Sequence, residues 1–311
     1  MRGGERYVGD EKADAEARRE MELAAASHDS WEKIRCRGYR LLRLEHALPA
    51  VDGVGEMFGL ILAAGNGSRL AGAIGPRSKC LADVGGRPLI SLQIDALVAA
   101  GVRSVVVVVG YGADEVRATV GGRARFVEND RFAETNSLYS FHLAGGTLDD
   151  DAFILNCDVL FPPSLLGEMN ALGGCVVAFD SGSGGDDEHM KVQIDAGRLV
   201  RMGKDLQAHD VAGENLGVIR VNRVGIETMR RTAAVLSGSA SSQAWMAEAV
   251  NGAAADHVFR ALDVAGRPWT EIDFPEDLAV ARVRVWPRVA SEFDVIDSQR
   301  GEGIDVWAAD G

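Results

Sequence analysis

Four places in this chain carry residue types that could do chemistry on a phosphate. Residues 60–70, LILAAGNGSRL, run from an apolar stretch into a turn holding Gly65 and Gly67, and then reach Arg69. Glycines in such a turn let backbone amides point inward as an anion-binding nest. Asn66 and Ser68 add donors, and the guanidinium of Arg69 is a planar fork that matches phosphate. The lysine-serine or lysine-threonine pair of a Walker loop is missing, and so are the three glycines of a dinucleotide fingerprint. Lys79 follows in the loop GPRSKCLADVGGRPL, bracketed by Pro76 and Pro88. Asp158 closes the apolar run FILNCD, with Asn156 on the same strand face. Glu271 and Asp273 share one face of WTEID, just before Pro275 opens a helix.

Each feature has a plainer reading. Glycine pairs occur in turns for steric reasons alone, a loop lysine is commonly solvated, and either aspartate could cap a turn or a helix. Together they offer more. A nest, two cations and two carboxylates suit a nucleoside triphosphate with Mg2+, which is usually held by one or two carboxylates plus substrate phosphates. Displacement at an α-phosphorus needs charge neutralisation and in-line positioning, not a protein nucleophile. No Ser/His/Asp or Cys/His set stands at a recognisable spacing.

The elements that must position these residues read as strand, helix, strand. FGLILAA is a buried strand; RPLISLQIDALVAAG repeats apolar residues at helical spacing and stops at Gly101; RSVVVVVG is the β-branched run of a central parallel strand. ADEVRATV continues as a helix, ARFVEN as a strand, TNSLYSFHLAGG as a helix on a Thr/Asn cap, and AFILNCDVLF as a strand. The alternation predicts an α/β fold with a doubly wound, mostly parallel, Rossmann-like sheet, which binds ligands beyond the carboxyl ends of its strands. Between residues 174 and 222 short strands with a DAGR turn predict a small antiparallel insert. Helices near 223–236 and 242–251 follow, then two strands and a last helix from Pro275. This divides the chain into a helical extension and linker (1–56), a catalytic domain (57–286) and a polar tail (287–311), with SGSGGDD and SGSASS as short flexible loops.

The 311 residues, 47% of them hydrophobic, are enough for a sizeable core. A net charge of −13 argues against nucleic acid as a partner, so an anionic substrate must be held by local groups or a metal. No apolar run reaches the length of a membrane span, and the N-terminus lacks the order of a secretion signal. Cys36, Cys80, Cys157 and Cys175 stand far apart, as free thiols of a reducing cytoplasm would. A cytoplasmic location without nucleic-acid or membrane partners is expected, and a homodimer stays open.

Six segments together resemble the nucleotidyltransferases that activate small phosphorylated compounds: LILAAGNGSRL, SKCLADVGGRPLI, GVRSVVVVVGY, ENDRFAETNSLYSFHLA, FILNCDVLF and WTEIDFPEDLAVAR. By pattern they are nearest to the cytidylyltransferases of the phosphocholine and phosphonate type. The most specific parts are the glycine turn, the set Asn129, Asn136, Tyr139 and Ser140, and the closing E-I-D-x-P-E-D. The resemblance implies that Leu62, Ala63, Ala64, Gly65 and Asn66 border the nucleoside and that Gly67, Ser68 and Arg69 meet the phosphates. It implies that Asn129, Thr135, Asn136, Ser137 and Asn156 border base and ribose, that Lys79 offsets charge at the α-phosphate, and that Asp158 and Asp273 hold Mg2+. Lys191 is implied as a second catalytic lysine near the acceptor. By charge alone, Asp186, Asp187 and Glu188 could pair with an aminoethyl ammonium group or form a solvated acidic loop, and Arg131, His189, Lys191 and Arg220 could instead hold an acceptor with an extra carboxylate. One departure is PRSKCL, where Ser78 separates Lys79 from Arg77 and leaves open whether Arg77 shares its role. The implied reaction joins CTP to a small phosphonate or phosphate monoester, phosphonoformate-, aminoethylphosphonate- or phosphocholine-like, and releases pyrophosphate. A sugar-1-phosphate nucleotidyltransferase using another nucleotide, and a non-catalytic nucleotide sensor of the same fold, remain as alternatives.

Overall fold

The computed structural model describes residues 56–183, 186–237 and 243–301. The expected N-terminal helical extension and linker up to residue 55, Cys36 with it, and parts of both flexible loops lie outside the described residues.

In chain order the strands are β1 (Phe58–Ala63), a short hairpin of β2 (Asp83–Val84) and β3 (Arg87–Pro88), β4 (Ser104–Val109), β5 (Arg125–Glu128), β6 (Ala152–Asn156) and β7 (Val159–Leu160). They continue as β8 (Cys175–Asp180), β9 (Lys191–Asp195), β10 (Arg198–Gly203), β11 (Gly213–Val221), β12 (Phe259–Asp263) and β13 (Thr270–Glu271). The helices are α1 (Ala71–Ile74), α2 (Leu89–Ala99), α3 (Ala113–Val120), α4 (Ser137–Ala144), α5 (Ser164–Leu172), α6 (Arg223–Ser237), α7 (Ala247–Asp256), α8 (Pro275–Val280) and α9 (Trp286–Gly301).

A nine-stranded sheet in the order β5-β4-β1-β6-β11-β8-β12-β10-β9 forms the body. The β-branched run of β4 is buried on both faces and lies parallel to β1 and β5. One hydrophobic layer joins α2, α3, α5 and α9 to one face; a second joins α4, α6 and α7 to the other. This is the doubly wound arrangement expected from the alternation. The antiparallel strands expected between 174 and 222 are present, and they extend the main sheet. β11 inserts between β6 and β8, antiparallel to both, and β9 with β10 forms the far edge. Ala196 and Gly197, both at positive φ (46° and 73°), make the tight turn that DAGR announced.

Two expectations are corrected. The helix expected at 242–251 begins at Ala247, after Trp245 and Met246 have turned toward the sheet edge. The polar tail after residue 286 is a helix as far as Gly301, joined to α8 by one wide turn at Ala281–Val285. Val285, Val289, Phe293 and Ile296 recur at intervals of four, four and three and are buried in the layer that contains α2. That stripe is hidden in composition because eight charged or polar residues of the helix surround it, whereas helix packing depends on spacing. Trp286 stacks on Phe293 with ring centroids 5.6 Å apart. Its indole fills the space where a Cβ on Gly85 would stand.

Cys80, Cys157 and Cys175 are free thiols, and no helix among the described residues is long and apolar enough to cross a membrane.

Candidate active site

The carboxyl ends of β1 and β6 open side by side, in register from Phe58 with Ala152 to Leu62 with Asn156. The chain leaving β1 enters the glycine turn. Gly67 adopts φ 54°, and a Cβ there would stand 2.8 Å from the Lys79 Cβ, so glycine is needed for the Lys79 loop to cross the turn. Gly65 has open space where a Cβ would be. The backbone amides of Gly65, Asn66 and Gly67 find no acceptor among the described residues, while that of Ser68 reaches Asn66 Oδ1 at 3.4 Å. A row of unspent donors beside an open space is what an anion requires.

Lys79 enters the same space from a short helical turn, Lys79–Leu81. Its Nζ donates to Asp158 Oδ2 and, at 2.8 Å, to Asp273 Oδ1. Arg69 Nη1 lies 3.7 Å from Asp273 Oδ2 and 3.1 Å from Glu188 Oε2, with its guanidinium 5.1 Å from the centre of the Phe274 ring. Arg77 points elsewhere and donates to Glu115 at 2.6 Å. Neither aspartate is occupied as a cap. The helix that Pro275 opens, α8, is capped by Asp277, whose Oδ2 accepts from the amides of Asp273 and Phe274.

Asp158 sits in the turn between β6 and β7, and β7 pairs with β13 so that Val159 lies opposite Glu271. This brings oxygens of Asp158, Glu271 and Asp273 within 4.8 Å of one another. Asp158 Oδ1 is buried without a hydrogen-bond partner among the described residues. Burial, then the charges of Asp158 and Asp273, push the Glu271 carboxyl up to about 8. Burial alone would lower the Lys79 ammonium and raise the Asp273 carboxyl. Asp158 foremost holds Lys79 well above its usual value, while Lys79, Arg69 and Lys204 hold Asp273 below its own. An orphaned buried carboxylate oxygen, a neighbour forced to keep its proton and an all-oxygen donor set fit a hard divalent cation such as Mg2+.

These groups line one open cavity of about 390 Å³. Leu62, Ala64, Gly65, Asn66, Gly67, Ser68 and Arg69 face it, as do Lys79, Asn156, Asp158 and Asp273. Asn129, Thr135, Asn136 and Ser137 form another stretch of its wall. Asn129 is fully used in shaping that wall: its Nδ2 donates to Thr135 Oγ1 and Ser140 Oγ, and its Oδ1 accepts from the Arg131 amide. Asn136 caps α4 through the Ser137 amide. Ala63 is buried in β1 behind the turn.

The acceptor side differs from expectation. Arg220 stands at the end of the strands away from the cavity, where it pairs with Asp151 at 2.8 Å and donates to Asn170 and to the Gly174 carbonyl. β11 runs antiparallel to β6, so its last residues lie beside the start of β6. Arg131 lies over the Tyr139 ring and near Glu134, and does not line the cavity. His189 Nδ1 is 3.3 Å from Glu214 Oε2, also off the cavity. The Lys191 ammonium contacts Asp187 and the Lys204 carbonyl and faces a neighbouring cavity. In their place Glu188 of the acidic loop lines the cavity, with Glu271, Lys204, Met202 and Trp245, which sequence reasoning did not assign to the site. Lys204 Nζ rests 4.8 Å from the centre of the Trp245 ring.

Comparison with known proteins gives this arrangement relatives. Residues 59–190 match the profile of the MobA-like NTP transferase domain family. The chain is 31% identical over 250 residues to a CMP-5'-(3-aminopropyl)phosphonate synthase of Streptomyces rubellomurinus, covering 73% of this chain and 38% of that protein. It is 31% identical over 252 residues to a bifunctional IPC transferase and DIPP synthase of Rubrobacter xylanophilus, covering 78% of this chain and 54% of that protein. It thus spans about half or less of the length of these relatives. Among solved structures, the inositol-1-phosphate CTP transferase from T. maritima shares the fold with a TM-score of 0.62 at 23% identity, over 76% of this chain and 97% of that one.

Proposed function

We propose, from the match of residues 59–190 to the MobA-like NTP transferase domain family and from the geometry of the site, that this nucleotidyltransferase is a cytidylyltransferase. It moves CMP from CTP to a small phosphonate or phosphate monoester and releases pyrophosphate. The observation that carries the reading is the position of Lys79, whose ammonium bridges Asp158 and Asp273 at the mouth of a glycine turn with unspent amides. The cytidylyl direction is supported by the relatives, one of which is named for a CMP-phosphonate product.

The residues divide the work as follows. The amides of Gly65, Asn66 and Gly67, with Arg69, hold the triphosphate. The walls at Leu62 and at 129–137 border the nucleoside. Asp158, Glu271 and Asp273 would hold a divalent cation such as Mg2+, which would supply positive charge to the substrate phosphates. Lys79 then turns from the aspartates to the α-phosphate, where it offsets charge that develops during the displacement. Lys204, close enough to lower the Asp273 carboxyl, is placed to receive the acceptor phosphonate beside Trp245. An acceptor oxygen attacks the α-phosphorus, a new P–O bond forms and pyrophosphate leaves. No general base is required, because a phosphonate oxygen is already ionised at neutral pH.

Pyrophosphate release measured with each of four nucleotides and a panel of small phosphonates and phosphate esters tests this. Turnover with CTP and one of these acceptors is expected. A strong preference for UTP, GTP or dTTP would overturn the cytidylyl reading, and nucleotide binding without turnover for any acceptor would favour the sensor.

A further inference from the structure

Asp158 occupies a two-residue turn, and the backbone on each side of it answers to a different sheet. β6 belongs to the main sheet, between β1 and β11. β7 belongs to the ribbon with β13, and the Ile272 amide donates to the Asp158 carbonyl at 2.8 Å. The separation of the Asp158 carboxylate from Glu271 and Asp273 is therefore set by how this turn joins the two sheets. Gln93, on α2, spans the turn from below. Its Nε2 donates to the Asn156 carbonyl at 2.8 Å and to the Val159 carbonyl at 2.9 Å, the residues that flank Cys157 and Asp158. Both partners are acceptors, so the amide can face them only with its nitrogen.

The cost of this arrangement shows that it is not core filling. Gln93 is 2% exposed, on a helix whose Leu89, Ile90, Leu92 and Ile94 are also buried. Its Oε1 has no hydrogen-bond partner among the described residues. A buried amide with an orphaned oxygen is a poorer core residue than an apolar side chain of the same size. What it supplies is one fixed donor shared by the two carbonyls that bracket Asp158.

We propose that Gln93 is a positioning residue for the metal-binding acids: it clamps the β6–β7 turn and so sets the spacing among Asp158, Glu271 and Asp273. The inference rests on the reading of these acids as a divalent-cation site. Gln93→Met keeps the length of the side chain and removes the amide. Direct titration with Mn2+, read by electron paramagnetic resonance on the full chain without nucleotide, should show affinity falling about tenfold, in the range for loss of a group that orients a ligand. The melting temperature should fall by less than a core truncation would cause, since losing the orphaned oxygen offsets part of the two donated bonds that go with it. Leu97→Ala is the control, because it loosens the same helix away from the turn; it should lower the melting temperature and leave Mn2+ binding as it was. Should Gln93→Met fail to fold, Gln93→Leu repeats the titration. Wild-type Mn2+ affinity in the Gln93 variant, or an equal loss in Leu97→Ala, overturns the positioning role alone. A wild-type chain that binds no Mn2+ overturns the metal reading and this role with it.

Discussion

Replacing Lys79 with methionine keeps the length of the side chain and deletes the ammonium that touches both aspartates. Two effects separate. In the resting protein, Asp158 and Asp273 lose their shared cation while remaining close to Glu271. Breaking a fully buried pair costs about 3–5 kcal/mol, but this one opens onto a solvent-filled cavity, which brings the expected loss to roughly 1–3 kcal/mol. For a body of this size each kcal/mol moves the melting temperature by about 2–4 °C, so a fall of roughly 2–12 °C should appear in a thermal melt without metal. Mg2+ should then raise the melting temperature of the variant more than that of the wild type, because the ion supplies the charge that the ammonium no longer does. In turnover, losing a preorganised cation at the α-phosphate should cost about 10²–10³ in kcat. Pyrophosphate release with CTP and an accepted acceptor reads the second effect; scanning fluorimetry with and without Mg2+ reads the first. A variant that turns over within about threefold of wild type would refute the placing of Lys79 at the reacting centre. A smaller Mg2+ response than wild type would refute the idea that ammonium and ion satisfy the same acids.

Glu271→Gln should change how the metal-free protein responds to pH. The folded carboxyl stands at about 8 against an ordinary 4.5, so the folded state holds a proton that the unfolded chain releases, and stability falls as pH rises from about 4.5 to 8. Melts of the glutamine variant should lose that slope, matching wild type near pH 4.5 and exceeding it near pH 8; a parallel decline in both proteins would show that the charge penalty lies elsewhere. Phe293→Ala, which empties a fully packed position on α9, should cost about 3–4 kcal/mol and leave kcat unchanged at a temperature where the variant is folded. An unchanged melting temperature would return that segment to the polar tail read from composition.

The parts of the site legible in the sequence are those set by one stretch of chain. A glycine turn after a buried strand, an aspartate ending another, and an aspartate before Pro275 all report a strand's carboxyl end, and the parallel register of β1 with β6 places two such ends together. What was missed depends on pairings that local sequence does not carry. Glu271 was seen beside Asp273, yet its part in the site comes from a two-residue ribbon opposite Val159, more than a hundred positions away. Arg220 was a basic residue at the end of an apolar strand, and nothing local says whether that end faces the site; antiparallel pairing with β6 sends it to the opposite end of the strands. Lys204 and Trp245 meet the cavity from separate segments brought together only by the folded sheet edge.

The glycine turn shows why a motif can be read correctly for an incomplete reason. Its glycines were read as a means of turning amides toward an anion, and the amides of Gly65, Asn66 and Gly67 do stand unspent. Gly67 has a second duty that the turn alone could not disclose, since the Lys79 loop passes so close that any Cβ there would displace Lys79 itself. The nest and the lysine are therefore one construction: the residue that frees an amide for the phosphates also admits the cation that serves them. The solvated reading of the lysine does not survive that contact, and the steric reading of the glycine becomes part of the site, since the space Gly67 leaves is the space Lys79 uses.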